Sequence, residues 1–206
     1  MKNIEIITII SCSFIGILLL LFLCYLLFLL IKKYSTEAKE KHSKLINFEK
    51  FIINLKNSLD FFCKKKVGAL IILKGKEDIS SNFATNGVFV NAEFSSELLN
   101  NIFCCKRSQL HDGATIIESN YRISYVSIIL TIPKVRKPIR NLGTRHNVAS
   151  AIATKSDAIA IVVSEISGII TVFFGKNETE KIKRGNKNNY NDLIEKIRNW
   201  KNEKQN

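Results

Sequence analysis

The sequence predicts an α/β protein in which a mixed β-sheet core is flanked by helices and preceded by one transmembrane helix. Three observations support this fold class. An uninterrupted apolar segment near the N-terminus is long enough to cross a bilayer, several short apolar runs predict buried strands, and other segments show the three-and-four spacing of helices. At least two strands are separated by a tight turn, so we expect a mixed rather than a purely parallel sheet.

The first element is the apolar segment from Ile6 to Ile31, which carries no charged residue. About 20 helical residues cross the hydrocarbon core of a membrane, so the segment suffices. A signal peptide would have a shorter apolar region and a small-residue cleavage site, whereas this segment runs directly into Lys32 and Lys33. Residues 1–33 are therefore predicted to be an uncleaved N-terminal anchor.

Lysines dominate the C-terminal flank of this segment, and basic flanks stay on the cytoplasmic side of a membrane. The flanking lysines are Lys32, Lys33, Lys39, Lys41 and Lys44. We therefore expect a single-pass protein of the cell membrane whose remaining residues lie in the cytoplasm.

Residues 34–66 are predicted to form a juxtamembrane helix that merges into the soluble domain. Its apolar residues alternate at spacings of three and four, which gives one apolar seam. The seam consists of Leu45, Phe48, Ile52, Leu55, Leu59 and Phe62. The helix either packs on its own domain or forms a dimerising stalk, and different turns can do each.

The soluble domain is expected to span residues 67–175 and to alternate strands with helices. Predicted strands cover residues 67–73, 88–90, 114–118, 122–131, 159–163 and 169–174, and predicted helices cover residues 95–103 and 144–155. Ser119 and Asn120 form the turn of a hairpin, and Gly168 lies in a second turn. Between the hairpin and the next helix runs a basic loop with Lys134, Arg136, Lys137 and Arg140. Residues 176–206 form a basic tail with one amphipathic helix over residues 190–200.

The net charge limits the classes of binding partner but does not select one of them. The formal net charge of +13 favours phosphate-bearing partners such as nucleotides, nucleic acid or anionic lipid. The five cysteines include no Cys-x-x-Cys pair, so they indicate neither a zinc site nor a redox motif, and they suit a reducing compartment.

Two short motifs carry residues suited to chemistry. His111 and Asp112 offer a metal ligand and a carboxylate, and Gly113 before Ala114 allows a ligand to approach the backbone. Asp-Gly is also a common turn dipeptide, so this motif alone favours a plain turn.

The second motif is Gly143-Thr144-Arg145-His146-Asn147, at the start of a predicted helix. Helix N-termini bind anions, and Arg adds a forked donor, so the motif suits a phosphate, although an ordinary helix start would look similar. Ser164 and Glu165 follow a later strand. No Walker A or GxGxxG sequence is present.

These motifs, in this order, resemble the diadenylate cyclase (DAC domain) family, whose signatures are Asp-Gly-Ala and Arg-His-Arg. They stand here as Asp112-Gly113-Ala114 and Arg145-His146-Asn147. The resemblance extends over roughly residues 45–175 and is greatest to the membrane-anchored, single-helix mycoplasma type. It implies a nucleotidyltransferase that condenses two ATP into cyclic di-AMP and releases two pyrophosphates, with two domains face to face.

The resemblance also implies a role for each site residue. Asp112 would activate the attacking 3′-OH, with Gly113 and Ala114 completing the catalytic motif together with Arg145 and His146. His111, Asp112 and Glu165 would bind Mg²⁺ or Mn²⁺. The ATP-binding residues would be Ile129 and Leu130 at the adenine, and Gly143, Thr144, Arg145, His146, Asn147 and Ser164 at the phosphates. The implied partners are ATP, the membrane, a second and transiently bound copy, and a membrane-protein regulator, but no nucleic acid.

Two of the departures from the family pattern concern the phosphate and metal side of the site. Asn147 replaces an Arg, which removes a charge and a fork of donors, and Ile166 stands where a second Glu often follows. Arg140 or Lys137 could restore the missing charge. The alternatives are a degenerate nucleotide-binding or scaffolding relative, and a basic protein that binds membrane surfaces or nucleic acid.

Overall fold

The computed structural model describes residues 2–77, 79, 84–131, 143–174, 179–182 and 187–205. The described chain divides into two compact units, Met1–Asn47 and Phe48–Asn206. The basic loop predicted around Lys134, Arg136, Lys137 and Arg140 lies outside the described residues, so its proposed compensation for Asn147 stays a prediction.

The N-terminal element is one long helix, α1, which spans Lys2–Lys65. Among the described residues, it is the one helix long and apolar enough to cross a membrane by its length and composition. Its predicted seam is buried from Phe48 onward, with Leu59 and Phe62 almost fully covered, while Leu45 is 55% exposed. The later turns of the seam therefore belong to the core of the second unit.

The sheet of the second unit is mixed, as predicted. Its strands are β1 (Ala69–Leu73), β2 (Ala84–Thr85), β3 (Val88–Glu93), β4 (Ala114–Ile117), β5 (Arg122–Leu130), β6 (Ile159–Val163), β7 (Ile170–Phe173) and β8 (Thr179–Ile182). They are arranged in the order β2-β5-β4-β1-β6-β7-β8, with β3 also paired to β5. Strands β1 and β4 run parallel, and the other paired strands run antiparallel.

Helices cover both faces of this sheet. Helices α2 (Ser96–Cys104) and α4 (Lys187–Gln205) pack with α1 on one face, and α3 (Thr144–Lys155) packs on the other. In β1, Ile71 and Leu73 enter the first core while Leu70 and Ile72 enter the second. Coverage of both faces explains why the central strands are continuous apolar runs rather than alternating ones.

The predicted elements are confirmed within a few residues, and three were missed. Helix α3 has the predicted bounds, and Ser95 caps α2 by accepting a hydrogen bond from the Leu98 N–H. The missed elements are β2, β8 and a short 3-10 helix, Gln109–His111. The segment predicted as a basic tail supplies β8 to the sheet and the buried Tyr190, Leu193 and Ile197 of α4 to the core.

Candidate active site

Four strand ends meet at one edge of the sheet because of the strand directions. Parallel β1 and β4 begin at the same edge, where Ile71 pairs with Thr115. Antiparallel β6 ends beside the start of β1, and β5 ends beside the start of β4, where Ala114 pairs with Ile128. The loop before β4, the end of β5 and the turn after β6 are thereby brought together.

A cavity of about 930 Å³ opens at this edge, and the N-terminus of α3 forms another part of its wall. Its size lies within the range of small-molecule sites. All of the predicted site residues except His111 and Asn147 line it: Asp112, Gly113, Ala114, Ile129, Leu130, Gly143, Thr144, Arg145, His146, Ser164 and Glu165. Motifs separated by about fifty residues in the sequence therefore share one cavity.

Gly113 fixes the geometry of the first motif. Its φ of +92° lies in the region that only glycine adopts readily, and a Cβ there would lie 2.5 Å from the backbone oxygen of Ile128. The preceding 3-10 helix is held from both sides, because Ser108 caps it at Leu110 and the Ser127 hydroxyl donates to the Gln109 carbonyl. Asp112 is thus presented on a braced loop beside β5.

His111 lies next to this motif but is not among the cavity-lining residues. Its Nδ1 contacts the backbone carbonyl of Ser108. A carbonyl oxygen only accepts, so this contact requires the proton on Nδ1 and leaves Nε2 as the nitrogen able to bind a cation.

Helix α3 begins without a side-chain cap. Gly143 precedes Thr144 at the N-cap position, has an extended backbone, and offers no side chain to cap the helix. Among the described residues, none has an atom within 4 Å of the position that a Cβ of Gly143 would occupy. The first N–H groups of a helix have no intrahelical acceptor and favour anions, so this end suits a phosphate.

Arg145 and Glu165 link α3 to the turn after β6. An Arg145 guanidinium nitrogen lies 3.9 Å from Glu165 Oε2, and Lys106 Nζ lies 3.4 Å from Oε1 of the same carboxylate. Their side chains are between 33% and 81% exposed, so each pair contributes at most about 1 kcal/mol. The pair is therefore only a weak restraint on the Arg145 side chain.

Ser164 begins a tight turn that ends at Gly168. The Ser164 hydroxyl oxygen accepts a hydrogen bond from the Ser167 N–H, and the Ser164 carbonyl accepts one from the Gly168 N–H. Gly168 has a φ of +68°, and a Cβ there would lie 2.7 Å from the carbonyl oxygen of Cys63. The Ser164 hydroxyl keeps its own proton to donate to a ligand.

Asn147, the departure from the family's second signature, lies one turn into α3. The Asn147 backbone N–H donates to the Gly143 carbonyl, and Asn147 does not line the cavity. Ile166, the other departure, is 88% exposed at the cavity rim.

Sequence reasoning missed Gly68 and Lys106. A Cβ on Gly68 would lie 2.7 Å from an Arg145 guanidinium nitrogen and 3.1 Å from Glu165 Cβ, so the glycine makes room for that pair. A lone glycine beside a strand signals such close approach, but the approaching group is invisible in the sequence. Nothing in the spacing of Lys106 connects it with Glu165.

Comparison with known proteins identifies the family. The family described as "DAC: DisA bacterial checkpoint controller nucleotide-binding" matches residues 56–178, well over half of the chain. The chain belongs to the DAC family. The predicted resemblance is therefore confirmed.

Relatives agree with this family in sequence and in fold. A diadenylate cyclase of Mycoplasma pneumoniae is 36% identical to this DAC chain over 169 residues, which cover 76% of this chain and 81% of that protein. DacA from Staphylococcus aureus matches with a TM-score of 0.60 at 28% identity, over 72% of this chain and 93% of that chain. A hypothetical membrane spanning protein from Bacillus cereus matches with a TM-score of 0.57 at 30% identity, over 63% and 62%.

Proposed function

We propose that this chain is a diadenylate cyclase, which condenses two ATP into cyclic di-AMP and releases two pyrophosphates. One observation carries the proposal: a single cavity collects the Asp112-Gly113-Ala114 motif, the start of α3 with Arg145, and Ser164. Family membership and the activity named for the mycoplasma relative support it. A degenerate relative or a general basic binding protein is not favoured.

In the proposed reaction, the 3′-hydroxyl of each ATP attacks the α-phosphorus of the other. A bond forms between the 3′-oxygen and the α-phosphorus, and the bond from that phosphorus to the bridging oxygen breaks. Pyrophosphate leaves with the bonding electrons, and the hydroxyl proton passes to the Asp112 carboxylate, which lines the cavity. Such phosphoryl transfer depends on positioning and charge neutralisation more than on covalent chemistry by the protein.

The remaining walls of the cavity would hold the substrate. The N-terminus of α3, Arg145, His146 and the Ser164 hydroxyl would donate to phosphate oxygens. Ile129 and Leu130 would pack against adenine at the end of β5, where the Ile129 side chain is 55% exposed.

The residues present fit a divalent cation shared with substrate better than one caged by protein. Among the described residues, no three His, Cys, Asp or Glu side chains cluster as a metal site. Asp112 and Glu165 line the cavity, however, and Mg²⁺ is usually held by one or two carboxylates plus substrate phosphates. Asp112 and Glu165 are the proposed ligands of Mg²⁺ or Mn²⁺ together with substrate phosphates, whereas His111 does not line the cavity. A bound cation would neutralise charge on the phosphates.

The chemistry requires a second copy. One cavity holds one ATP, and its 3′-hydroxyl must reach the α-phosphorus of an ATP held elsewhere, so two cavities must face each other. Ile166 is apolar and 88% exposed at the cavity rim, where a facing copy would cover it. The proposed pairing is transient, because products must leave between the two domains.

Helix α1 would anchor this enzyme in the cell membrane by a single pass. The lysines that follow the apolar segment favour a cytoplasmic catalytic unit by the positive-inside rule, and ATP is available in the cytoplasm. The proposed organisation has an anchor over residues 1–33, a juxtamembrane helix over 34–66, the catalytic domain over 67–175 and the C-terminal segment over 176–206.

The test is product formation by the full chain in phosphatidylcholine nanodiscs that each hold two copies. ATP is supplied with Mg²⁺ or with Mn²⁺, and cyclic di-AMP is measured by mass spectrometry. We expect product with at least one of these metals, and its absence with both would refute the proposed activity.

Asp112→Asn tests the assigned base. We expect the rate to fall by about 10²-fold or more, since loss of a general base typically costs that much. Asp192→Asn is the matched control, because Asp192 is an exposed carboxylate on α4 outside the cavity. Circular dichroism should be unchanged in both variants, and full activity in Asp112→Asn would contradict its role.

A further inference from the structure

A second cavity, of about 500 Å³, lies at the opposite edge of the sheet from the catalytic cavity. It is lined by the ends of β1 and β4, at Leu73 and Ile117, whereas the catalytic cavity is lined by Leu70 and Ala114 near the starts of the same strands. The two cavities share no lining residue, and the proposed reaction uses none of the residues of the second one.

Four aromatic side chains form part of the wall of this second cavity. Phe48 and Phe51 of α1 contribute, together with Tyr121 and Trp200. The rings of Phe51 and Tyr121 are stacked with centroids 4.9 Å apart. The indole of Trp200 is held in place because its N–H donates to the Asp157 carbonyl at 2.8 Å. A rigid aromatic wall of this kind suits a flat ring system.

The charged groups around the wall are mainly cationic. Lys74, Lys76 and Lys201 line the cavity, and Glu118 is the one acidic residue among the lining residues. Lys74 Nζ lies 3.2 Å from a Glu118 carboxylate oxygen, which neutralises that pair. The lining residues therefore carry three lysines and one carboxylate.

One feature marks where the negative group of a ligand would be recognised. Lys201 Nζ lies 4.4 Å from the ring centroid of Phe48 and 4.3 Å from that of Tyr121, so its ammonium is held over the aromatic wall.

We infer that this cavity is a binding site for a small aromatic anion, distinct from the ATP site. The aromatic wall takes the ring system, and Lys76 and Lys201 take the negative group. The inference stands independently of the proposed cyclase activity, because it rests on a different set of residues.

The chain offers a built-in reporter for this site, since Trp200 is its single tryptophan. The full chain, labelled with 5-fluorotryptophan and placed in phosphatidylcholine nanodiscs, should give one ¹⁹F resonance from the cavity wall. The probe is naphthalene-2-sulfonate, and naphthalene-2-sulfonamide is the uncharged probe of similar shape. We expect the sulfonate to shift the resonance saturably with a Kd on the order of 1 mM or lower, and the sulfonamide to bind at least about 3-fold more weakly.

Substitutions of the lining lysines test whether the sulfonate binds in this cavity. Lys76→Gln and Lys201→Gln should each raise the Kd of the sulfonate about 3-fold or more, while Lys56→Gln, the same change at an exposed site on α1, should not. Asp112→Asn should leave the Kd unchanged, because Asp112 lines the other cavity. Lack of a saturable shift, equal binding of the two probes, or insensitivity to both lysine variants would each overturn the inference. Failure of cyclic di-AMP synthesis would not affect it.

Discussion

At the scale of single residues, Gly113 carries the sharpest structural requirement of the site. Its backbone has a positive φ, and a Cβ would meet the Ile128 carbonyl oxygen at 2.5 Å. Both the conformation and the space exclude a side chain. Gly143 is the natural comparison, because it has an ordinary negative φ and a Cβ there would contact no described residue.

We therefore predict that one alanine substitution in this cavity has a large effect and that another has a small effect. Gly113→Ala should shift the Asp112 loop away from β5, destabilise the protein by about 1–3 kcal/mol and lower cyclic di-AMP synthesis by about 10²-fold. Gly143→Ala should change stability by less than about 1 kcal/mol, since alanine only replaces a tolerated N-cap glycine. Thermal unfolding and rates of synthesis measure both. Comparable losses in the two variants would contradict the argument from geometry.

The residue scale also shows where sequence reasoning ends. Asp112, Arg145 and Ser164 were predicted from motif content, and the structure brings them to one cavity. Gly68 and Lys106 were missed because their roles depend on Arg145 and Glu165, which approach from distant parts of the chain. A contact of this kind follows from strand register, which the local sequence does not reveal.

At the scale of elements, continuous apolar runs and helical spacing predicted the central strands and helices well. The missed strands β2 and β8 are short and polar. Strand β8, Thr179–Ile182, reads as part of a basic tail because its sequence lacks an apolar run, and it forms by pairing with β7. Edge strands depend on a partner for their hydrogen bonds rather than on burial of both faces, so their composition gives little signal.

Helix α4 makes a testable contribution to the core through Tyr190. Its ring is only 5% exposed, and its hydroxyl lies 4.0 Å from Cys63 Sγ of α1. Burial, together with the nearby Cys63 and Asp60, raises the pKa of the Tyr190 phenol far above its ordinary value of about 10. The phenol is therefore kept neutral in the folded protein at pH values where it would ionise in the unfolded chain.

This raised pKa predicts a specific alkaline instability. Above about pH 10 the unfolded chain releases the Tyr190 proton while the folded protein keeps it, so stability falls as pH rises, by up to about 1.4 kcal/mol per pH unit. Tyr190→Phe removes this titration, and we expect the variant to lose less stability than the natural chain between pH 9 and pH 11. Urea unfolding of the full chain in nanodiscs, followed by Trp200 fluorescence, measures the difference.

Tyr34→Phe serves as the control for this comparison, because it removes a tyrosine hydroxyl from a side chain that is 77% exposed. It should leave the loss of stability between the two pH values as large as in the natural chain. If Tyr190→Phe behaved in the same way as this control, the buried phenol would not account for alkaline unfolding.

At the scale of the whole molecule, the proposed chemistry ties activity to encounters between two membrane-anchored copies. A single cavity provides one set of phosphate donors and one Asp112, whereas cyclic di-AMP contains two phosphodiester bonds that join two nucleotides. An isolated chain in a bilayer should therefore bind ATP without producing cyclic di-AMP. Diffusion of α1 within the membrane would bring two loaded domains together.

This argument predicts a dependence of rate on surface density. In phosphatidylcholine vesicles with ATP and the supporting metal, the rate per chain should rise in proportion to the protein-to-lipid ratio at low density, and the total rate should rise as its square. The rate per chain should level off once most chains are paired. Nanodiscs that hold one chain each should bind ATP but synthesise cyclic di-AMP at less than about a tenth of the two-copy rate, since two copies cannot meet within one disc. A rate per chain that is constant over a hundredfold dilution in lipid would show either that one chain suffices or that pairing is permanent, and the single-chain nanodisc separates these outcomes.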